Sequence, residues 1–306
     1  MPSLDVVTVG SAVIDHVYTL SNLPEPDGGA FVQSYTTAAG GVAANVASAL
    51  AELEHETGIV TRLGAEAAGI EADLRERNLD VARVRSGPEE SSYSLVLRGL
   101  DGERMVLAGG RSVANLRLAD ADMPYLRDAS VVFTSAYAPD SVVSRLVAAR
   151  ERGEISMLVF DLAGPLPEFE NRGTRPATID RLLAVVDLFV VSEVAARSYF
   201  DGGADETAAV LAGGDIDRAA VTRGREGALL VDGDSVIEIP TFDVAIEDTT
   251  GAGDVFTAGL IHAWLLEGSP APAAGRFAAA GAALNCTALG ARGRLPTKQA
   301  VRALLE

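Results

Sequence analysis

The sequence predicts an α/β protein with a mostly parallel central sheet and a small second β-sheet. Strand-like apolar segments alternate with helical stretches along most of the chain, which is typical of βαβ units. Two early β-rich pieces, at about 13–38 and 91–112, break that alternation and favour a separate sheet. The chain has 306 residues, of which 48% are hydrophobic, so we expect a single domain over 1–306.

Each element has its own local signal. Buried strands are predicted at 4–10, 57–63, 131–134, 156–161, 188–192, 219–222 and 228–231. Helices are predicted from Gly40 to about Glu54 and at 71–78, 255–266 and 278–289. In the second β-rich piece, Asp101-Gly102 separates two strand patterns, which is a hairpin signal.

The chain is strongly acidic, with 43 Asp and Glu against 25 Lys and Arg and a formal net charge of −18. It has no basic stripe for nucleic acid, and anionic lipid would repel it, so we expect neither partner. Lys298 is the single lysine. Few lysines and many carboxylates predict adaptation to high salt, as in halophilic archaea, because salt screens self-repulsion. High genomic GC content is the alternative reason for the missing lysines, although it does not enrich acids.

The sequence has no apolar run near the roughly 20 residues of a membrane span. It opens on a strand pattern, without the basic region of a signal peptide. Cys286 is the single cysteine, which excludes an internal disulfide and fits a reducing compartment. We therefore expect a cytoplasmic protein without a membrane partner.

The most informative segment is Asp248-Thr-Thr-Gly-Ala-Gly-Asp254, directly before the apolar helix at 255–266. Small residues at a helix N-terminus leave N–H groups free for an anion, and the helix dipole favours negative charge there. A phosphate cradle beside the carboxylate of Asp254 has the groups that phosphoryl transfer to a hydroxyl requires. The alternative is a glycine turn capped by an aspartate, which many helices have.

Five segments, in this order, resemble the ribokinase-like (PfkB) family of sugar and nucleoside kinases. They are Val9-Gly10-Ser11 with Asp15, Gly40-Gly41 with Asn45, Thr222-Arg-Gly224-Arg-Glu-Gly227, the run 248–254, and Gly290-Ala291 with Pro296. The resemblance implies the three-layer fold of that family, with 13–38 and 91–112 forming a lid. It also implies an ATP-dependent kinase that phosphorylates a hydroxyl of a sugar.

The resemblance assigns catalysis to the end of the run. Asp254 would take the proton from the acceptor hydroxyl. The amides of Gly251, Ala252 and Gly253 would form the anion hole for the transferred phosphoryl group. Because phosphoryl transfer has a loose transition state, positioning and preformed N–H donors supply most of the acceleration.

The same resemblance implies that Asp15, Gly40, Gly41 and Asn45 bind the sugar. Carboxylate and amide side chains suit vicinal hydroxyls, and paired glycines let the backbone approach the ring. A strand-end turn is the alternative role of Asp15, and an ordinary helix start is that of Asn45. Asparagine has a poor propensity inside an alanine-rich helix, which favours the functional interpretation.

The nucleotide-binding residues implied by the resemblance are Thr222, Gly224, Gly227 and Thr249. They would hold the phosphates and ribose of ATP. A β-turn before the strand at 228–231 is the alternative explanation of this glycine-containing loop.

Two departures from the family pattern concern metal ions. Where the family has an Asn-x-x-Glu motif tied to Mg²⁺, this chain has Ser192-Glu193-Val194-Ala195, so Glu193 is the candidate for holding Mg²⁺ through water. For K⁺, the candidate ligands are Asp248 and the carbonyl of Thr250. Arg294 stands where the family has a small or hydroxylated residue, and we hypothesise that it replaces the charge of K⁺.

Two other functions compete with a sugar kinase. A nucleoside kinase of the same family is favoured by the apolar Val13 and by the segment 160–167, which resembles archaeal nucleoside-type members. A catalytically silent sugar- or nucleotide-binding homologue is favoured by Ala195 and opposed by the intact Asp254. The partner in each case is a small molecule.

We also expect a homodimer formed through the lid. Exposed lid faces of this kind often pair. The apolar strand residues Leu95, Val96 and Val106 motivate this prediction.

Overall fold

The computed structural model describes residues 4–100 and 103–306. The strands in chain order are β1 (Val6–Val9), β2 (Val13–Leu20), β3 (Val32–Gly40), β4 (Thr57–Leu63), β5 (Asp80–Ser86), β6 (Tyr93–Arg98), β7 (Arg104–Gly109), β8 (Val131–Ser135), β9 (Leu158–Asp161), β10 (Leu188–Ser192), β11 (Arg218–Thr222), β12 (Ala228–Asp232) and β13 (Ser235–Ile239). The helices are α1 (Val42–Glu52), α2 (Ala68–Glu76), α3 (Met123–Arg127), α4 (Asp140–Glu151), α5 (Pro176–Leu183), α6 (Glu193–Tyr199), α7 (Ala204–Ala212), α8 (Ala252–Leu260), α9 (Ala271–Asn285) and α10 (Lys298–Leu305). Short 3₁₀ turns lie at Val113–Asn115, Asp120–Asp122, Leu166–Phe169 and Gly224–Glu226, and a π-helical turn at Ile261–Leu266 continues α8.

The main sheet confirms the predicted parallel α/β architecture. In the described part of the chain its nine strands have the order β13-β12-β11-β10-β9-β8-β1-β4-β5. The strands from β11 to β5 pair in parallel, and β12 and β13 add an antiparallel edge. The carboxyl ends of the parallel strands therefore lie along one edge, where ligands bind in open α/β sheets.

Helices cover both faces of this sheet, which makes three layers. One apolar cluster packs α4, α5 and α7 against it, and a second packs α1, α8 and α9 against the other face. Because both faces are covered, β1, β8 and β9 are buried throughout. This double burial explains why these strands appear in the sequence as continuous apolar runs.

The two β-rich pieces form the second sheet, with the strand order β3-β2-β6-β7. β2 pairs in parallel with β6, and the outer pairs are antiparallel. This sheet is called the lid below. The predicted turn at Asp101-Gly102 lies outside the described residues. The strands that flank it pair antiparallel, with Arg98 opposite Arg104.

Helix α8 begins at Ala252, inside the 248–254 run and three residues before the predicted apolar stretch. Gly251 precedes it in the left-handed region with φ of 78°. A Cβ on this glycine would lie 2.4 Å from the carbonyl oxygen of Ala291. Both the backbone conformation and the close approach therefore require glycine at this position.

Two strands of the main sheet, β5 and β13, were not predicted from the sequence. They are the edge strands of the sheet, and their residues are mostly half-buried or exposed. Edge strands bury less apolar surface, so their hydrophobic pattern is weaker. Across 4–100 and 103–306, the helices include none with the length and apolarity to span a bilayer.

Candidate active site

A cavity of about 480 Å³ separates the lid from the carboxyl edge of the main sheet. It brings together six of the predicted site residues, namely Asp15, Gly41, Asn45, Thr250, Gly251 and Asp254. These residues come from the lid, the start of α1 and the start of α8. The predicted sugar-binding and catalytic groups thus share one space.

Asp254 lies in the first turn of α8, where the helix dipole favours a negative charge. Its carboxylate lines the cavity and its Oδ2 accepts a hydrogen bond of 2.7 Å from Nδ2 of Asn45. Asn45 lies in α1, so this contact joins two helices on the same face of the sheet.

The pKa of Asp254 is raised to about 7, mainly by burial, and the neighbouring carboxylates of Asp161 and Asp15 contribute to this rise. The Asn45 hydrogen bond and the charge of Arg292 act in the opposite direction. The pKa of Asp161, at the end of β9, is likewise raised to about 7 by burial. A carboxylate with a pKa near neutrality can exchange a proton under ordinary conditions, as a general base must.

Most N–H groups of the predicted anion hole are available. Among the described residues, the amides of Gly251 and Gly253 have no protein acceptor. The amide of Ala252 makes a turn contact of 3.3 Å to the carbonyl oxygen of Thr249. Gly253 is exposed, with open space where a Cβ would be. These features match the first turn of a helix that can receive an anion.

Asp15 is held on the inner face of the lid. Its Oδ1 accepts a hydrogen bond of 2.5 Å from Oγ of Ser94 on the adjacent β6. Burial raises the pKa of Asp15, against the opposing effect of this bond. A Cβ on Gly40 would lie 2.0 Å from Asp15 Oδ2, so this glycine makes room for the carboxylate.

Gly41 connects the lid to α1 with φ of 99°. A Cβ there would lie 2.7 Å from the carbonyl oxygen of Ser11. The paired glycines therefore let β3 turn sharply into α1, and Asn45 follows in the first turn of that helix, at the cavity wall.

Arg292 is a buried residue of this site that the sequence analysis missed. Its Nε donates to Oδ1 of Asn45 at 2.7 Å, and its Nη2 donates to the carbonyl oxygen of Gly40 at 3.2 Å. Its Nη1 pairs with Asp73 of α2. Because Arg292 occupies the oxygen of the Asn45 amide, the amide nitrogen is turned towards Asp254. The sequence signal was only its place after Gly290-Ala291.

The predicted nucleotide-binding residues lie outside this cavity. Thr222 ends β11, opposite Ser192 on β10, so it is at the same carboxyl edge. Gly224 begins a 3₁₀ turn with φ of 57°, and no atom of the described residues lies within 4 Å of the position of an added Cβ. Gly227 has φ of 88° and approaches the carbonyl of Ile239, which supports the β-turn interpretation for this residue. Thr249 is exposed in the 248–254 run.

The candidate magnesium residue, Glu193, is paired within its own helix. Its Oε1 accepts a bond of 2.7 Å from Nη2 of Arg197, and the residue does not line the cavity. Ala195 is fully buried beside the helix cap of Ser192. In the described part of the chain, no group of three His, Cys, Asp or Glu residues converges as a metal site. Glu193, engaged by Arg197 and away from the cavity, therefore does not fit a protein-held Mg²⁺.

The candidate K⁺ ligands also have protein partners. Oδ1 of Asp248 accepts from the amide and hydroxyl of Thr250 at 3.0 and 2.7 Å. Its Oδ2 accepts from the amide of Gly290 at 2.8 Å and lies 3.2 Å from Nη1 of Arg98. Arg294, the predicted replacement for the cation, instead donates to Oγ1 of Thr287 at 3.0 Å.

Two arginines line the cavity without a carboxylate partner among the described residues. Nη1 of Arg104, on the lid, donates to Oγ1 of Thr250 at 2.8 Å. Nε of Arg172 donates to the carbonyl oxygen of Glu168 at 2.7 Å. Both guanidinium groups therefore place positive charge at the cavity wall of an acidic protein.

Comparison with known proteins identifies the family. The profile of the pfkB family of carbohydrate kinases matches residues 3–298. The chain is 32% identical to the ATP-dependent ribose-1-phosphate kinase of Halopiger xanaduensis, over 98% of this chain and 97% of that relative.

Solved structures agree on the fold. The ribokinase of Arabidopsis thaliana, complexed with ribose and ATP, has a TM-score of 0.84 at 25% identity and covers 99% of both chains. A Burkholderia thailandensis nucleoside kinase in complex with inosine has a TM-score of 0.80 at 21% identity, covers 97% of this chain and 95% of its own, and shows the fold alone. The ribokinase-like fold is thereby confirmed, and the chain belongs to the pfkB family of carbohydrate kinases.

Proposed function

We propose that this protein transfers the γ-phosphoryl group of ATP to a hydroxyl of a sugar, with Asp254 as the general base. One observation supports this most strongly. The carboxylate of Asp254 faces a cavity at the start of α8, beside the free amides of Gly251 and Gly253. In the reaction, the acceptor oxygen forms a bond to the γ-phosphorus as the bond from that phosphorus to ADP breaks. The hydroxyl proton passes to Asp254.

The first-turn amides supply the anion hole in this proposal. The N–H groups of 251–253 would donate to the oxygens of the transferred group. Preformed donors do not have to reorganise as charge develops, which is why each is worth about 3 kcal/mol in comparable sites. Arg104 adds a positive charge beside Thr250, next to the same loop.

Asp15 and Asn45 position the acceptor, and Gly41 lets it approach the backbone. Asp15 keeps acceptor capacity beyond its bond from Ser94, and Asn45 has a second N–H for a sugar hydroxyl. ATP would lie at the carboxyl edge beyond Asp254, with Thr222, Gly224, Gly227 and Thr249 as its proposed contacts. Mg²⁺ is proposed to arrive with the nucleotide, held by phosphate oxygens and water.

For the acceptor we propose a ribose-type sugar or its phosphate ester. The Halopiger xanaduensis relative is a ribose-1-phosphate kinase by name. The cavity of about 480 Å³ exceeds what a free pentose needs. Arg172, which has no described carboxylate partner, could pair with an acceptor phosphate and so favours the ester.

A nucleoside is the second candidate acceptor. Tyr93 and Tyr137 line the cavity and offer aromatic faces for a base. The same cavity volume suits either a nucleoside or a sugar phosphate, so a direct assay has to distinguish them.

The deciding experiment is an ADP-release assay in molar KCl. The acceptors are ribose, ribose-1-phosphate, fructose, ketodeoxygluconate, adenosine, cytidine and inosine. We expect ribose-1-phosphate or ribose to give the highest kcat/KM, and Asp254→Asn to lower kcat by about 10²–10⁴-fold. Preferred turnover of a nucleoside would replace the proposed acceptor. Ligand-induced thermal stabilisation without ADP release from any acceptor would overturn the kinase proposal in favour of a silent binding protein.

We further propose that the protein forms a homodimer through the outer face of the lid. Val96 and Val106 line the cavity, so they belong to the inner face. Leu95 and Leu107 are opposite each other on the outer face, where Met105 and Leu107 are each about half exposed. Burying such a face against a second copy would remove apolar surface from water.

Light scattering at the working salt concentration tests the dimer. We expect twice the chain mass for the native protein and a monomer for Met105→Glu combined with Leu107→Glu. The control is Val210→Glu, an exposed valine on α7. A monomeric native protein would contradict the proposal.

A further inference from the structure

We infer that Arg98, carried by the lid, takes the place of the monovalent cation beside Asp248, so that catalysis does not depend on K⁺. The inference rests on the proposed kinase function. Asp248 lies at the opposite end of the 248–254 run from Asp254, the proposed base.

Within the described part of the chain, the carboxylate of Asp248 is already engaged by hydrogen bonds and by a positive charge. An ionised carboxylate offers about four lone-pair sites. Three hydrogen-bond donors occupy most of them, namely the amide and hydroxyl of Thr250 and the amide of Gly290, and Nη1 of Arg98 forms an ion pair with Oδ2 at 3.2 Å. A K⁺ ion at this carboxylate would have to compete with the guanidinium of Arg98.

The second candidate K⁺ ligand, the carbonyl of Thr250, also has a protein partner. The carbonyl oxygen of Thr250 accepts a hydrogen bond of 3.0 Å from Nδ2 of Asn285. Among residues 4–100 and 103–306, Oδ1 of this buried asparagine has no hydrogen-bond partner. A neutral amide oxygen can coordinate a cation but supplies no charge to balance it, so the charge balance at this position depends on Asp248 and Arg98.

The negative charge of Asp248 is already neutralised by a positive charge of the protein, that of Arg98. The side chain of Asp248 is 4% exposed and that of Arg98 is 22% exposed. A buried carboxylate is costly unless a positive charge and hydrogen bonds compensate it. Arg98 supplies that charge, and a second cation would leave an excess positive charge in a poorly hydrated place.

The position of Arg98 on the lid gives this charge a further role. Nη2 of Arg98 also donates to the carbonyl oxygen of Glu247 at 3.4 Å. Arg104, directly opposite Arg98 in the lid, donates to Oγ1 of Thr250. Two lid arginines therefore hold the loop that carries the anion-hole amides. Docking of the lid and alignment of the anion hole are coupled through these contacts.

The test compares three proteins at constant ionic strength, with KCl replaced stepwise by N-methylglucamine chloride. We expect wild-type kcat to change less than twofold across the series. Arg98→Gln should lose about tenfold in kcat, because an unpaired buried carboxylate destabilises the loop, and should regain activity with K⁺. Arg294→Gln is the matched control, an arginine that contacts Thr287 instead of Asp248, and should behave as wild type.

Thermal unfolding in the same salts gives a readout that needs no substrate. K⁺ should raise the Tm of Arg98→Gln relative to N-methylglucamine and leave the wild-type Tm unchanged. Strong K⁺ activation of the wild type, or an Arg98→Gln protein without any K⁺ response in Tm, would overturn the inference. If no acceptor is phosphorylated, the proposed function fails, and the Tm comparison still decides the role of Arg98.

Discussion

The two aspartates at the ends of the 248–254 run have opposite electrostatic environments. Hydrogen bonds from the amides of Thr250 and Gly290, together with Arg98, hold the pKa of Asp248 below its usual value although burial opposes them. Asp254 has one hydrogen-bond donor in the part of the chain that the structure describes, Asn45, and burial is the main cause that raises its pKa to about 7. The same side chain is thus kept ionised at one end of the loop and close to protonation at the other.

This difference shows how one short loop can carry two carboxylates with different roles, one that holds the loop in place and one that is proposed to accept the substrate proton. A carboxylate that accepts three hydrogen bonds and pairs with an arginine is solvated by the protein and holds the loop in place. A carboxylate with one donor, facing a cavity, keeps lone pairs for a substrate proton. We therefore expect substitutions at the two ends to affect different properties, turnover at Asp254 and stability at Asp248.

The largest expected effect is on turnover. Asp254→Asn removes the base, so kcat should fall by about 10²–10⁴-fold. Its Tm at pH 8 should not fall, because the buried carboxylate is costly when ionised. This cost is absent below the unfolded pKa, grows as pH rises from the unfolded to the folded pKa, and is fully present above the folded pKa of about 7. ADP release and thermal unfolding measure the two quantities.

Asp248→Asn is the matched variant at the other end. It leaves the base in place and disrupts the network of donors around a buried carboxylate, which should cost about 2–3 kcal/mol of stability. A lower Tm with a smaller loss of kcat than in Asp254→Asn is expected. Equal losses of kcat with unchanged Tm in both variants would contradict the separation.

The next effect is on the pH profile. Because Asp254 must be ionised to accept a proton and its pKa is about 7, kcat/KM should fall about tenfold per pH unit below that value and level off above it. An ordinary aspartate would keep the profile flat to about pH 5. Initial rates between pH 5 and 9 distinguish the two, with circular dichroism confirming folding at each pH. A flat profile would exclude the raised pKa.

The smallest effect compares two glycines of the anion hole. In Gly251→Ala, an alanine has to adopt a φ of 78°, and its Cβ would clash with Ala291. We expect this substitution to cost about 2 kcal/mol of stability. Gly253→Ala meets open space within the first turn of α8, so its Tm should stay within about 1 °C of wild type. Equal Tm losses in the two variants would show that the loop conformation does not depend on Gly251.

Local patterns predicted much of the fold. The strand at 57–63 has the predicted bounds, and the helix after the 248–254 run begins within three residues of its apolar stretch. The edge strands β5 and β13 were missed because half-exposed strands have weak apolar patterns. Arg98 was missed because nothing near it in sequence shows that its lid strand contacts Asp248.

The sequence by itself determined the elements with short-range signals: the alternating strands and helices, the glycine run before α8 and the carboxylate at its end. Only the tertiary structure decided which distant side chains meet. It paired Asn45 with Asp254, Arg292 with Asn45, and Arg98 with Asp248. The physical reason is that hydrophobic periodicity and turn chemistry act over a few residues. Buried hydrogen bonds and ion pairs depend on which strand edges and helix ends the packed sheet brings together.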